Sequence, residues 1–150
     1  MSGRERTFAY RLERLLALRG AERDSLRAPV TAAAQEVERR ERELETIAGG
    51  IRRIESGLRA VRGGERIAVD EQLRLQAYLK RERRLEQAKR DELDAALRTL
   101  TRAVGELQAK HRDARALESH KERSRRRHDD AQARVAIRAA DDAWLARKKP

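Results

Sequence analysis

Apolar residues recur in a heptad repeat along the first 61 residues, and this repeat restricts the chain to long helices that pair side by side. Eight consecutive heptads run from Ala9 to Val61 without a skip, and thirteen of their sixteen a and d positions are apolar. A repeat sustained this long is typical of a left-handed coiled coil, in which a second helix covers the a and d residues. The sequence therefore predicts an all-α fold. The apolar a and d residues between Leu12 and Val61 include Leu12, Leu16, Leu26, Val30, Val37, Leu44, Ile47, Ile51, Ile54, Leu58 and Val61.

The repeat loses its phase at Gly63-Gly64, which is where we expect the chain to turn back. Glycines commonly mark the end of a helix and the turn that follows it. We predict helix 1 at about residues 5–61, a turn at about 62–66 and helix 2 at about 67–147. Residues 1–150 would then form one antiparallel coiled-coil hairpin, in which the second helix is longer and overhangs at the terminal end. The predicted a and d residues of helix 2 are Leu93, Leu97, Leu100, Val104 and Leu107, followed by His111 and Ala114.

Pro29 interrupts the first predicted helix without disturbing its heptad phase. A proline inside a helix removes one backbone hydrogen bond and clashes with the preceding turn. We expect a kink or a restart of the helix here, with Asp24 or Ser25 as the capping residue.

The composition argues against an enzyme. Charged residues make up 42% of the chain and aromatic residues only 3%, so the chain cannot fill the wide core that surrounds a concave catalytic site. His111, His120 and His128 stand nine and eight residues apart, whereas two metal ligands on one helix face stand about three or four residues apart. We expect no catalytic residue, no metal site and no cofactor.

The formal charge of +11 makes acidic partners plausible, and nucleic acid is one of them. Most of the charge is interleaved, as in residues 38–43, where acids and arginines alternate and pair along a solvated helix face. The basic block Arg125–Arg127 is flanked by Glu122, Asp129 and Asp130, whose carboxylates would repel phosphates. We therefore expect no nucleic-acid partner.

No apolar stretch of about 18 residues occurs, and no apolar signal region follows Met1. Cysteine is absent, which excludes disulfides. We expect a cytoplasmic protein without direct membrane insertion.

The opening run Phe8–Arg19, with its two aromatic residues, an Arg-Leu-Glu triplet and a leucine pair, resembles the start of the FliJ family. That family comprises the stalk proteins of the flagellar type III export apparatus. The chain length, a turn before the midpoint, a longer second helix and a basic end at Arg147–Pro150 agree with this resemblance.

The resemblance implies a non-enzymatic adaptor for protein transport in flagellum biogenesis and motility. Its partners would be a hexameric secretion ATPase, the cytoplasmic domain of the export-gate membrane protein, and export chaperones. The free protein would be a monomer, and in the cell it would associate peripherally with the inner membrane at the flagellar base.

The resemblance also suggests two contact surfaces. By analogy with the stalks of rotary ATPases, the terminal end of the hairpin would enter the ATPase ring, and its contact residues would be Arg11, Arg14, Arg123, Arg125, Arg126 and Arg127. The family contacts the export gate through an early part of helix 2, in which an aromatic residue is followed four residues later by a leucine. Here Tyr78 matches the aromatic residue and Glu82 replaces the leucine. The candidate gate residues are Leu75, Tyr78, Leu79 and Leu85.

Three other functions remain open from the sequence. A related family has the same architecture in virulence-type secretion systems. A generic coiled-coil scaffold would pair its a and d residues between chains, and a basic rod could bind nucleic acid with a steep dependence on salt.

Overall fold

A computed structural model describes residues 7–63 and 69–148, and this part of the chain is all-helical, as the heptad repeat predicts. Helix α1 spans Glu13–Ser25, α2 spans Arg27–Arg62 and α3 spans Val69–Arg147. No strand occurs among the described residues. Residues 64–66 of the predicted turn lie outside the described part of the chain.

Helix α1 begins at Glu13, later than the predicted start at about residue 5. Residues 7–12 are described and are not helical. The Glu13 amide donates a hydrogen bond to the Tyr10 carbonyl at 3.2 Å, and the Tyr10 side chain is buried. Ala9, a predicted a position, is exposed because it precedes the helix. The contacts of Tyr10 with α3, given below, explain why this segment does not continue the helix upstream.

The predicted interruption near Pro29 is present as a single non-helical residue, Leu26, between α1 and α2. Pro29 is the third residue of α2, where its missing N–H would have had no partner within the helix. The predicted caps are wrong, because Leu26 holds the capping position and makes no side-chain capping bond. The Ser25 hydroxyl instead donates a hydrogen bond back to the Glu22 carbonyl at 2.7 Å.

The chain divides into two compact units. The second unit, Leu26–Leu107, contains α2 and the first part of α3. Glu55 pairs with Arg83 at 2.9 Å, and Glu43 pairs with Lys89 at 3.2 Å, so the two segments run antiparallel within this unit. The buried side chains of α2 are the predicted a residues Val37, Ile51 and Leu58.

The first unit contains the chain up to Ser25 and the chain from Gln108 onward. Glu13 pairs with Lys121 at 2.7 Å and Glu22 pairs with Lys110 at 3.1 Å, so α1 also runs antiparallel to the segment of α3 that it contacts. Ala114 is completely buried in this unit. Its single methyl group allows close approach of the neighbouring helix.

The covered positions of α3 alternate in steps of three and four residues. They form two lines of residues along the helix, and one of these lines differs from the predicted a and d residues. Leu97 is 41% exposed and His111 is exposed, whereas Ala96 and Lys110 are partly covered. Leucines at 93, 100 and 107 repeat every seven residues, and the sequence allows the second line to fall either three or four residues after each of them. The structure places it three residues after, where Ala96 and Ala103 are partly covered. Val104, the other predicted member, is partly buried beside this line.

Candidate partner-binding surfaces

The N-terminal aromatic residues lie against the late part of α3. The rings of Tyr10 and His120 lie 5.7 Å apart between centroids, and those of Phe8 and His128 lie 5.6 Å apart. The Phe8 and Tyr10 rings are stacked at 6.5 Å. The opening motif and the beginning of the basic segment of α3 are therefore brought together in one unit.

Tyr10 is the centre of this contact because its ring is buried and its hydroxyl group is bonded. The hydroxyl lies 2.9 Å from Nδ1 of His120 and 3.3 Å from the Leu117 carbonyl, to which it donates. One proton cannot serve two acceptors, so both bonds form when His120 carries its proton on Nδ1. The Lys121 ammonium lies 5.9 Å from the Tyr10 ring and also pairs with Glu13.

All six arginines predicted to contact the ATPase ring are exposed in this unit. Arg126 pairs with Glu122 at 3.0 Å, and Arg125 lies 4.0 Å from Asp129. Arg123 forms no ion pair with another described residue, and neither does its neighbour four residues on, Arg127. The six predicted contact residues are Arg11, Arg14, Arg123, Arg125, Arg126 and Arg127.

Ion pairs connect α1 to the neighbouring segment of α3. Glu22 accepts hydrogen bonds from Arg19 at 2.8 Å and from Lys110 at 3.1 Å. These two cations, Arg19 first, hold the pKa of the Glu22 carboxyl below its ordinary value. Arg23 reaches Glu118 at 3.8 Å. Arg19 and Arg23 are the polar residues at the a and d positions of α1. Arg19 pairs with Glu22 of the same helix, and Arg23 reaches Glu118 of α3.

The candidate gate residues divide into two exposed and two covered side chains. Tyr78 is 52% exposed and Leu85 is 42% exposed, and because they stand seven residues apart they share one face of α3. Leu75 and Leu79 are partly buried, and Leu75 lies against Gly57 of α2. Glu82, which replaces the family leucine, lies on the covered side of the helix. The surface available to a partner is therefore centred on Tyr78 and Leu85.

A charged cluster lies between α2 and α3 in the second unit, around Arg40 at a d position. Arg40 pairs with Glu36 at 2.7 Å, with Glu43 at 3.4 Å, and with Glu92 of α3. Lys89 pairs with Glu92 at 2.9 Å and with Glu43. A polar residue at a single core position of a coiled coil specifies register at a cost in stability, and Arg40 has the position and the partners for that role.

This cluster shifts the titration of its members. Hydrogen bonds from Arg39 and then from Arg40 lower the pKa of Glu36 to about 2. Lys89 and then Arg40 lower the pKa of Glu92, and Glu92 in turn raises the pKa of Lys89. All these groups retain contact with solvent, so the shifts reflect pairing rather than burial.

The last part of α3 is helical but uncovered. Every residue from 131 to 148 is exposed, including Val135 and Ile137 at 61% each and Trp144 at 58%. The Lys148 ammonium lies 4.2 Å above the Trp144 ring. Trp144 is the largest exposed side chain among the described residues. Lys148 is the one described residue found against its ring.

Within residues 7–63 and 69–148, no group of three histidine, cysteine or acidic side chains is arranged to hold a metal ion. In the same ranges, no helix has the length and apolar character needed to cross a bilayer.

The sequence did not reveal the pairing of Phe8 and Tyr10 with His128 and His120. A signal for it exists, because folding the chain back at Gly63-Gly64 places the aromatic residues opposite the histidines. Nothing in the local spacing, however, indicates that Tyr10 lies outside a helix.

Searches with this chain found no matching family model, no significantly similar curated protein and no significantly similar solved structure.

Proposed function

We propose that this chain is a non-enzymatic stalk and adaptor protein of the flagellar type III protein export apparatus. It enters the central opening of the hexameric export ATPase, promotes ring assembly and ATP hydrolysis, and connects the ring to the export gate and to substrate chaperones. It acts in the cytoplasm at the inner-membrane base of the flagellum, and it is a monomer when free.

One observation carries the proposal: the motif that resembles the FliJ family is also the segment that closes the first unit. Phe8 and Tyr10 pack on His128 and His120, and Glu13 pairs with Lys121. The start of the chain is thereby tied to a segment of α3 that carries exposed arginines. A firmly packed, basic end is suited to bind acidic loops that line a ring.

The proposed stalk is an antiparallel coiled-coil hairpin. The heptad spacing of α1 and α2, and the antiparallel order of ion pairs in each unit, support an antiparallel coiled-coil hairpin with an overhanging second helix. A stalk of this kind works by differential binding, because an asymmetric rod contacts successive ring subunits differently and so biases their conformations.

The second partner surface is the pair Tyr78 and Leu85. Both side chains are exposed and share a face, which supports contact with the cytoplasmic domain of the export gate. Leu75 and Leu79 take part by holding α3 against α2 rather than by direct contact, since both are partly buried.

The first test is ATP hydrolysis by the cognate export ATPase at concentrations at which its hexamer is only partly assembled. Added protein is expected to stimulate hydrolysis and to co-sediment with the ATPase. An unchanged rate together with no co-sedimentation would refute the stalk function and leave the scaffold function as the better account.

A charge-reversal pair localises the contact. Arg123→Glu with Arg127→Glu is expected to abolish stimulation, because both guanidinium groups lack an ion-pair partner among the described residues. The matched control is Arg98→Glu with Arg102→Glu, which makes the same change in net charge on exposed residues of the second unit. Equal effects of the two variants would show that overall charge, rather than the basic segment, governs stimulation.

The gate contact is tested separately by capture of the purified gate domain. Tyr78→Ala with Leu85→Ala is expected to lose binding, whereas Leu97→Ala, which removes an exposed leucine elsewhere on α3, is expected to retain it. Complementation of motility in a flagellar deletion strain, compared with restored secretion in a virulence-type deletion strain, separates the flagellar function from the virulence-type alternative.

A further inference from the structure

One face of the second unit carries a row of α3 side chains in which cations and amides predominate, and Asp91 borders the end of this row, where it accepts a hydrogen bond from Gln87 at 3.0 Å. The row advances in steps of four and three residues, which keeps its members on one side of the helix over about 30 Å. Its members are Val69, Leu73, Gln76, Lys80, Arg83, Gln87 and Arg90.

A second row on α2 adjoins the first. Arg52, Glu55, Arg59 and Arg62 are spaced by three, four and three residues, and Glu55 pairs with Arg83 of the first row at 2.9 Å. Because α2 and α3 run antiparallel in this unit, Arg59 and Arg62 extend from Glu55 in the same direction in which Lys80 and Leu73 extend from Arg83. The two rows therefore form one surface, which we call the basic face.

The charge of the basic face is strongly unbalanced. Six cations stand against a single acid within the two rows, and that acid is already paired with Arg83. Arg52 pairs with Glu45 and Arg90 with Glu86, but Arg59, Arg62 and Lys80 form no ion pair with any described residue. These three cations are exposed.

Two apolar side chains lie at one end of the same face. Val69 and Leu73 are each 58% exposed in the first turns of α3, where Asp70 is also exposed. The candidate gate residues Tyr78 and Leu85 lie about half a helical turn away from this row, on the other side of α3. The basic face is thus distinct from the gate surface.

We propose that the basic face binds the surface of an anionic lipid bilayer, with Arg59, Arg62 and Lys80 at the phosphates and with Val69 and Leu73 at the headgroup boundary. Cations near an anionic leaflet and exposed apolar side chains beside them are the two components of peripheral membrane binding. The row borders a wide, open concavity lined by Gln76, Lys80, Arg83 and Gln87, rather than a closed groove for an extended acidic peptide. The basic face also lacks an aromatic side chain on which a nucleic-acid base could stack.

The test measures co-sedimentation of the full chain with vesicles that contain phosphatidylglycerol and phosphatidylcholine, and with vesicles of phosphatidylcholine alone. Binding is expected only to the anionic vesicles, and it should weaken as salt is raised. Replacing Arg59, Arg62 and Lys80 together by glutamine is expected to lower the partition coefficient by about 100-fold, since each cation contributes about fivefold.

A matched variant keeps the net charge equal. Replacing Arg42, Arg98 and Arg102 by glutamine removes the same charge from exposed positions of the second unit outside the face, and it is expected to leave vesicle binding within about twofold of the unmodified chain. Leu73→Ser is expected to weaken binding by about fivefold, whereas Leu145→Ser, on an exposed leucine near the end of α3, should not change it. Circular dichroism establishes that each variant retains its helix content.

Three results would overturn the inference. They are equal binding to neutral and anionic vesicles, equal losses in the two glutamine variants, and tight binding of duplex DNA by a chain that does not bind vesicles. The inference does not rest on the stalk function. Stimulation of the export ATPase is expected to survive in the Arg59, Arg62 and Lys80 variant, so failure of either proposal can be recognised independently.

Discussion

The Tyr10 hydroxyl oxygen lies 2.9 Å from Nδ1 of His120, which bonds a residue that precedes α1 to a residue more than a hundred positions later on α3. The same hydroxyl donates a hydrogen bond to the Leu117 carbonyl. Together with the contact of Phe8 with His128, this pair connects the non-helical segment 7–12 to α3.

Removing the Tyr10 ring is expected to destabilise the chain substantially. Tyr10→Ala should lower the free energy of unfolding by about 3 kcal/mol, the usual loss for a buried aromatic side chain. Tyr10→Phe, which keeps the ring and removes both hydroxyl bonds, should cost about 1 kcal/mol. Urea denaturation followed by circular dichroism measures both values.

Tyr78→Ala is the control for that comparison. Because Tyr78 is 52% exposed and makes no ring contact with another described residue, its replacement should change the free energy of unfolding by less than about 0.5 kcal/mol. A loss as large as that of Tyr10→Ala would mean that Tyr78 serves packing and would remove the basis for a gate surface.

Leu97 and Leu100 form a pair that tests which residues of α3 face α2. Leu100→Ala is expected to lower the free energy of unfolding by about 2 kcal/mol, because Leu100 is partly buried at a covered position. Leu97→Ala should cost less than about 0.5 kcal/mol, because Leu97 is 41% exposed. The reverse order would place the contact line four residues after Leu93 instead of three.

Replacing Arg40 by leucine is expected to raise the thermal midpoint while reducing uniqueness of pairing. Leucine at a d position adds apolar contact, and a partly buried ion pair often stabilises less than an apolar residue in its place. The loss of pairing with Glu36, Glu43 and Glu92 should permit shifted or intermolecular pairing.

Light scattering after size exclusion should therefore detect more self-association in Arg40→Leu than in the unmodified chain. Arg42→Leu, which alters an exposed position of the same helix, should leave the thermal midpoint unchanged. A less stable, strictly monomeric Arg40→Leu protein would show that the cluster contributes stability rather than register.

Acid is expected to destabilise the second unit through Glu36. The folded pKa of about 2 lies below the ordinary value of 4.5, so protons bind more tightly to the unfolded chain. The stabilisation from Glu36 is therefore fully present above pH 4.5 and is lost as the pH falls through about 2.

Thermal midpoints measured across this pH range test the linkage. Glu36→Gln should melt below the unmodified chain above pH 4.5, and the difference should close as the pH approaches 2. Glu38→Gln, which alters an exposed acid, should show no such difference. Added salt should shrink the effect, because the group remains in contact with solvent.

The heptad repeat predicted the helical class and the a residues of α2 that become buried, Val37, Ile51 and Leu58. It succeeded there because large aliphatic side chains at one repeating position leave no competing face. The same reasoning did not distinguish Leu97 from Ala96, since spacings of three and four residues both fit a helix and the neighbouring backbone decides between them.

The N-terminal segment was predicted less well for a different reason. Where α1 begins depends on the contact of Tyr10 with His120 and Leu117, which are distant in sequence. Local preference for helix in residues 5–12 carries no information about that contact. The Arg40 cluster could not be predicted from the sequence either. Its acids come from both helices, and only the fold brings Glu92 close to Arg40.

The uncovered end of α3 has a consequence for how this chain responds to a partner. Residues 131–147 are helical although no other described residue shields them, so their amide hydrogens should exchange with deuterium through local opening long before those around Ala114. A partner that encloses this end would slow that exchange selectively. Deuterium exchange in the last turns of α3, measured by mass spectrometry, would therefore report partner binding in the unmodified chain.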